Sequence, residues 1–145
     1  MIVKKYDANL IRYISLFERI TGVRAKDCFV LNNTIVFFVE PGKAGRAVGR
    51  EGKNIRSIHA VVKKDVRIIE FASDPLRLAS NFVYPLKPDQ LFISETDRGK
   101  KIINIKFSTA GERRNLLSNN QERLKELKDI MRRYHKDVEN ILVLQ

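Results

Sequence analysis

The chain has 145 residues, of which 43% are hydrophobic, so it can bury a core, and this composition argues against wholesale disorder. Lysine and arginine number 28 against 17 aspartate and glutamate residues, which gives a formal net charge of +11. Such an excess attracts polyanions, so nucleic acid and anionic membrane are the candidate partners. No apolar run approaches the roughly 20 residues of a spanning helix, and no export signal is recognisable. We therefore expect a cytoplasmic protein without a membrane partner.

The first half of the chain predicts the order helix, strand, strand, helix, helix, strand. The opening helix follows Asp7, whose carboxylate can accept hydrogen bonds from the free amides of the first turn. Asn32 and Asn33 separate two β-rich runs and are suited to a tight hairpin, because asparagine tolerates positive φ. We expect the strands at residues 28–31, 34–39 and 66–71, and the later helices at about 43–48 and 53–62.

The second half repeats this order. Asp74 is a helix cap followed by proline at the first helical position, where its missing amide costs nothing. Thr109 and Glu112 have the spacing of a capping box. We expect the strands of this half at residues 91–95, 101–107 and 138–144, with a longer helix before the last of them. The repeat predicts an α+β fold with two domains, residues 1–72 and 73–145, each with a three-stranded sheet covered by helices.

The turn Gly49-Arg50-Glu51-Gly52 concentrates the chemistry of the first half. Glycine permits positive φ and lets a sugar-phosphate backbone approach the main chain closely. The turn also opens a helix, whose exposed amides and positive dipole end favour phosphate. Basic residues surround it at Lys43, Arg46, Arg50, Lys53 and Arg56, against Glu51 alone. The pattern predicts a phosphate clamp built mainly of backbone, whereas the plainer alternative is a helix connection beside a solvated basic surface.

Other chemistries do not match the sequence. A nucleotide-binding P-loop would need glycine at Ala47 and a hydroxyl at Asn54. Cys28 is the only cysteine and lies in an apolar run, which is typical of a buried, inert thiol. His59 and His135 have no partners at metal-ligand spacing. We therefore expect no catalytic residues, no metal, no cofactor and no enzymatic activity.

Residues 48–56, Val-Gly-Arg-Glu-Gly-Lys-Asn-Ile-Arg, resemble the signature of a KH domain, and the order of elements resembles its type II arrangement. Two adjoining copies resemble the NusA-like transcription factors of archaea. The resemblance implies a GXXG loop that clamps single-stranded RNA in transcription elongation or termination. It also implies an apolar groove for the bases, lined by Ile55 and walled by the strand at 34–39. The implied RNA-binding residues are Lys43, Arg46, Gly49, Arg50, Glu51, Gly52, Lys53, Asn54, Ile55 and Arg56.

The second half departs from this pattern at the equivalent loop. Residues 117–124 read Leu-Ser-Asn-Asn-Gln-Glu-Arg-Leu, so both glycines are absent. Ser118 and Gln121 have capping-box spacing, which predicts that side chains occupy the amides a phosphate would use. We therefore expect a second KH domain without a clamp. The alternative function is a protein-interaction scaffold that docks on RNA polymerase with incidental RNA contact, and in either case we expect a monomer.

Overall fold

The computed structural model describes residues 8–31 and 33–145. Its described part divides into two compact units, the first ending at Ala72 and the second beginning at Ser73. The first unit contains α1 (Ala8–Thr21), β1 (Asp27–Val30), β2 (Thr34–Val39), α2 (Ala44–Val48), a 3-10 turn (Arg50–Gly52), α3 (Lys53–Val62) and β3 (Asp65–Glu70). The second contains α4 (Pro75–Val83), β4 (Gln90–Glu95), β5 (Lys101–Lys106), α5 (Ala110–Tyr134) and β6 (Val138–Val143). The predicted α+β fold, with two three-stranded sheets covered by helices, is confirmed.

Both sheets have the same topology. In the first, β2 is the central strand, antiparallel to β1 and parallel to β3. In the second, β5 is central, antiparallel to β4 and parallel to β6. The parallel pair in each unit needs a crossover connection, and helices supply it. The loop that carries the GXXG sequence lies inside the crossover of the first unit, between α2 and α3.

The core of the first unit lies between its sheet and its helices. Ile35, Phe37 and Val39 alternate along β2 towards the helices, as the period of a strand requires. Phe37 stacks on Phe17 of α1 with ring centroids 4.4 Å apart. Phe38 belongs to the opposite face of the sheet, where it meets Phe29 edge-on at 5.7 Å. Both Phe37 and Phe38 are fully buried, so both faces of β2 are covered.

Only some of the residues for which the sequence predicts turns and caps lie in the described part of the chain. The hairpin between β1 and β2 is confirmed, and the Leu31 amide donates to the Thr34 carbonyl at 2.8 Å. The predicted cap at Asp7 and the turn residue Asn32 lie outside the described residues. In the second unit, the Asp74 carboxylate accepts from the Arg77 amide at 3.3 Å, so that cap is confirmed.

The capping box in the second unit is also confirmed. The Thr109 hydroxyl accepts from the Glu112 amide at 3.2 Å and lies 3.4 Å from the Glu112 carboxylate. Beyond this start, α5 continues to Tyr134 but is interrupted by non-helical backbone at residues 118–121. The equivalent loop of the second unit is therefore a break between two helical segments, with Leu116 buried before it and Leu124 buried after it.

Candidate nucleic-acid interface

The loop at residues 49–52 has a backbone path that favours glycine at its first and last positions. Gly49 has φ +81° and ψ +167°, a region that is essentially restricted to glycine. Gly52 has φ +74° and ψ +18°, in the left-handed region. Glu51 takes the same left-handed conformation, with φ +54°, despite its side chain. The chain therefore turns sharply between α2 and α3, as the glycine spacing predicted.

Crowding adds a second reason for glycine at position 49. A Cβ atom placed there would lie 2.9 Å from Cγ and Nδ2 of Asn54 and 3.1 Å from its backbone nitrogen. Real Cβ atoms essentially never approach other atoms below 3.0 Å. At Gly52, by contrast, a Cβ would have only Arg56 Nη1 within 4 Å, at the ordinary contact distance of 3.5 Å. Gly49 is thus required by both conformation and packing, and Gly52 by conformation alone.

Two of the predicted RNA-binding side chains are engaged with the loop itself. Asn54 Nδ2 donates to the Arg46 carbonyl at 3.4 Å, which ties the start of α3 to α2. The Arg56 guanidinium donates to the Glu51 carbonyl. Their positions in the first turn of α3 let them reach back over the loop. These contacts make Asn54 and Arg56 positioning residues that hold the loop, a role that sequence analysis did not assign to them.

The remaining predicted residues surround an uncapped helix start. Gly52 at the start of α3 has no side chain to cap the helix, and the amides of Gly52 and Lys53 donate to carbonyls within the loop. The positive end of the helix dipole at this point favours an anion. Lys43, Arg46, Arg50 and Lys53 are exposed along the segment that leads to this point. Glu51 is exposed between them, and Ile55 is half-buried just after the turn. The ten predicted RNA-binding residues thus lie on one continuous helix-loop-helix segment, and the five cations among them are exposed.

The predicted groove wall is wrong. The strand at 34–39 was expected to line the groove, but it is the central strand and its residues are between 0% and 9% exposed. A central strand is covered on both edges by its neighbours, so it presents no open side. The edge strand β3 contacts both α2 and α3 instead, with partly buried Val66 and Ile68 among its residues. Strand order, which the sequence pattern does not encode, decides which strand can face a ligand.

Glu70 at the end of β3 is a residue that sequence analysis missed. Its carboxylate accepts from the Ala44 amide at 3.2 Å and so serves the first turn of α2 from a distant part of the chain. The two residues are 26 positions apart. No local motif signals such a pair, because capping motifs are recognised within about four residues.

The equivalent loop of the second unit differs from the prediction. The expected capping box between Ser118 and Gln121 is absent from the described contacts: the Ser118 hydroxyl donates to the Asn115 carbonyl at 2.8 Å. Asn119 Nδ2 instead contacts the Glu122 carboxylate at 2.6 Å. Residues 119, 120 and 121 have φ between +54° and +60°. The loop therefore keeps a left-handed path at its third and fourth positions, as at Glu51 and Gly52, but without glycine.

Arg123 lies at the position of the second unit that corresponds to Asn54, and its side chain makes different contacts. Its guanidinium donates to the carbonyls of Phe82 and Tyr84, at 3.2 and 3.3 Å, at the carboxyl end of α4. Burial lowers the pKa of Arg123 from its ordinary value, with the nearby Glu126 acting in the opposite direction. A basic residue just after this loop is thus half-buried, and its guanidinium contacts the end of α4.

Other kinds of site find little support in the described part of the chain. Within it, no group of three or more His, Cys, Asp or Glu residues is arranged to hold a metal ion. Cys28 is 1% exposed, and burial raises the pKa of its thiol, which keeps it protonated and unreactive. None of the described helices is both long and apolar enough to cross a membrane.

Comparison with known proteins agrees with the geometry of the first unit. Residues 11–73 match the family model of the KH domain. This range contains β1, β2, the whole crossover with its glycine loop, and β3. The first unit is therefore similar to a KH domain, which is one of the common RNA-recognition modules.

Relatives narrow the resemblance to archaeal NusA. The chain is 26% identical over 123 residues to the probable transcription termination protein NusA of Methanocaldococcus jannaschii, covering 85% of this chain and 66% of that protein. It is 29% identical over 91 residues to the protein of the same name from Methanococcus vannielii, covering 63% of this chain and 53% of that protein. The Halococcus morrhuae protein is 31% identical over 85 residues, covering 59% and 61%. The matched region thus spans between about half and two thirds of these relatives, and the chain is NusA-like.

A solved structure extends the likeness over most of the chain. The crystal structure of APE1850 superposes with a TM-score of 0.77 at 29% sequence identity. The match covers 92% of this chain and 96% of that one. The likeness therefore includes the second unit, which the family model does not reach.

Proposed function

We propose that this protein binds single-stranded RNA through a backbone clamp at residues 49–52, without catalysing a reaction. The observation that carries the proposal is the loop between α2 and α3, where Gly49 and Gly52 have positive φ and α3 begins without a side-chain cap. The positive end of the helix dipole at such a start attracts phosphate. KH domains use a GXXG loop of this kind to clamp about four nucleotides.

Charge supports the same site. Residues 1–72 contain 14 basic and seven acidic residues, a net charge of +7. Residues 73–145 contain 14 basic and ten acidic residues, a net charge of +4. Exposed cations beside the loop neutralise phosphates and release counterions, which makes binding depend on salt. For single strands we expect the logarithm of affinity to fall with the logarithm of salt concentration at a slope of about 0.7 per phosphate contact.

We further propose that residues 73–145 are a second KH domain whose loop does not clamp RNA. Its loop has a left-handed path like that of the first unit, yet side chains project from every position at which the first unit has glycine. Bulk beside the main chain keeps a sugar-phosphate backbone at a distance. A role in transcription elongation or termination is proposed from the NusA-like relatives.

A matched pair of aspartate substitutions tests the clamp. Gly52→Asp places a carboxylate in the proposed phosphate path, and its Cβ makes only an ordinary contact, at 3.5 Å from Arg56 Nη1. Gln121→Asp introduces the same side chain at a position of similar φ, +60° against +74°, in the second unit. Like charges in contact cost several kcal/mol, so Gly52→Asp should weaken RNA affinity by at least about tenfold.

The readout is a fluorescence anisotropy titration with a random-sequence single-stranded RNA, alongside circular dichroism. We expect the circular dichroism spectra of both variants to match that of the wild type, and RNA affinity to fall only for Gly52→Asp. Equal affinity of wild type and Gly52→Asp would refute the clamp. A comparable loss for Gln121→Asp would show that the second unit binds RNA through its loop after all.

A further inference from the structure

A groove between two helices of the first unit lies well away from the glycine loop. It has a volume of about 410 Å³ and runs between α1 and the carboxyl-terminal end of α3. Its lining residues are Arg12, Tyr13, Ser15, Leu16, Arg19, Val61 and Val62. Val61 lies eight residues beyond Lys53, so at 1.5 Å per residue it is about 12 Å along α3 from the start of that helix. The groove and the clamp are therefore separate surfaces of one domain.

The floor of the groove is apolar, and part of it is open to solvent. Leu16 and Val62 are half-buried, and Val61 is 62% exposed. A large aliphatic side chain that is this exposed forgoes the stabilisation that its burial would supply. The aliphatic side chains of Leu16, Val61 and Val62 fit apolar side chains of a peptide, and we take a peptide as the occupant because these three form the floor. Bases would instead stack on the Tyr13 ring or on the guanidinium planes of the two arginines, which also line the groove, so RNA is the alternative that the test must distinguish.

The rim of the groove is basic. Arg12, Leu16 and Arg19 follow one another at i, i+4 and i+7 along α1, so they share one face of that helix. Both arginines are exposed, and none of the described residues that line the groove is acidic. The two arginines are about 10 Å apart along the helix axis, at 1.5 Å per residue, and each guanidinium can pair with a carboxylate.

We propose that this groove docks an acidic amphipathic helix of another protein. Leucine-like side chains of the partner would pack on Leu16, Val61 and Val62, and carboxylates flanking them would pair with Arg12 and Arg19. Helix-in-groove recognition places the apolar face of an amphipathic helix in an apolar groove, with anchors at i, i+3 or i+4, and i+7 of the bound helix. Charge complementarity selects the acidic partner, because a neutral or basic helix would leave both arginines without counter-charges.

The test uses two synthetic peptides and NMR spectroscopy of the full ¹⁵N-labelled chain. One peptide of about four helical turns has leucine on one face and glutamate elsewhere. The other has lysine in place of every glutamate. We expect the acidic peptide to shift the amide signals of Ser15, Leu16 and Val61, with the lysine peptide binding at least about tenfold more weakly.

Charge reversal supplies the controls. Arg12→Glu should weaken binding of the acidic peptide about tenfold and strengthen binding of the lysine peptide, because it reverses one side of the pairing. Arg24→Glu makes the same charge change at an exposed arginine that does not line the groove, and should change either affinity less than about twofold. Val61→Glu changes an exposed position of α3, so it should weaken binding of the acidic peptide without removing contacts in the core.

Each other result overturns the proposal. Equal affinity for the two peptides, or equal effects of Arg12→Glu and Arg24→Glu, would show non-specific charge attraction. Shifts of the groove signals on addition of single-stranded RNA would make this a nucleic-acid surface. Shifts that depend on protein concentration alone would make it a contact between copies of this chain. The effect of Gly52→Asp on RNA affinity tests only the clamp, and the peptide titrations test only the groove. Either proposal can therefore fail without the other.

Discussion

Replacing Gly49 by alanine should destabilise the first unit more than replacing any neighbouring glycine. The backbone at φ +81° and ψ +167° costs an L-residue roughly 1–3 kcal/mol. The new Cβ would also lie 2.9 Å from the Asn54 side chain and 3.1 Å from its backbone nitrogen. Overpacking of this kind adds roughly 1–3 kcal/mol. Alanine recovers about 0.4–1 kcal/mol by restricting the unfolded chain, so we expect a net loss of about 3 kcal/mol.

Two nearby glycines separate the contributions of conformation and contact. Gly42 has φ +86°, and an added Cβ there would have no atom within 4 Å, so Gly42→Ala should cost only the conformational part, about 1 kcal/mol. Gly45 lies within α2, where an added Cβ would also have no atom within 4 Å and the backbone has no positive φ. Because alanine is the better helix former, Gly45→Ala should stabilise the unit by about 0.5–1 kcal/mol.

Native-state hydrogen exchange of the β2 amides is a suitable assay, because a buried central strand exchanges through global unfolding of its unit. The double variant Gly49→Ala/Asn54→Ala removes the side-chain part of the contact and should regain about 1 kcal/mol. Equal destabilisation by Gly49→Ala and Gly42→Ala would refute the reasoning, because the close approach of Asn54 would then contribute nothing.

Two further predictions concern the second unit. Gln121→Gly should raise its stability by about 0.5–1 kcal/mol, because glycine relieves the left-handed φ of +60°, and slower exchange of the β5 amides would show this. Faster exchange would contradict the left-handed assignment. The hydrogen bond from Lys101 to Asp137 lowers the pKa of that carboxyl below its ordinary value, and their nitrogen and oxygen lie 3.1 Å apart. Any stabilisation from the pair is therefore present above the unfolded pKa and lost as pH falls through the lower folded pKa. An NMR titration should find the Asp137 pKa low in the wild type and nearer its ordinary value in Lys101→Met, and identical values in both would contradict this cause.

Sequence-local chemistry accounts for what could be predicted. The caps at Asp74 and Thr109 depend on contacts within three residues, and both are present as expected. The helix at Lys53–Val62 and the strand at Thr34–Val39 have the predicted bounds, because glycine turns and β-rich runs delimit them. The helix-loop-helix segment that carries the clamp residues is likewise continuous in sequence, so its members could be named together.

The errors arise where a local pattern has more than one structural solution. Ser118 and Gln121 have the spacing of a capping box, yet the Ser118 hydroxyl donates backwards to the Asn115 carbonyl. Left-handed backbone at three successive non-glycine residues runs against local preference, so no sequence rule favours it. Tertiary packing of the helical segments on either side holds this loop, with Leu116 and Leu124 buried.

The sequence by itself determined the order of elements, their caps, the glycine loop and the basic charge around it, because each depends on residues close together in the chain. Only the tertiary structure decided that Thr34–Val39 is a covered central strand and that β3 is the open edge beside α2 and α3. It alone turned Asn54 and Arg56 back onto the loop, and it alone brought α1 against the end of α3 to form the groove. Strand order and helix contacts join residues that are far apart in sequence, and no periodicity or motif records those pairings.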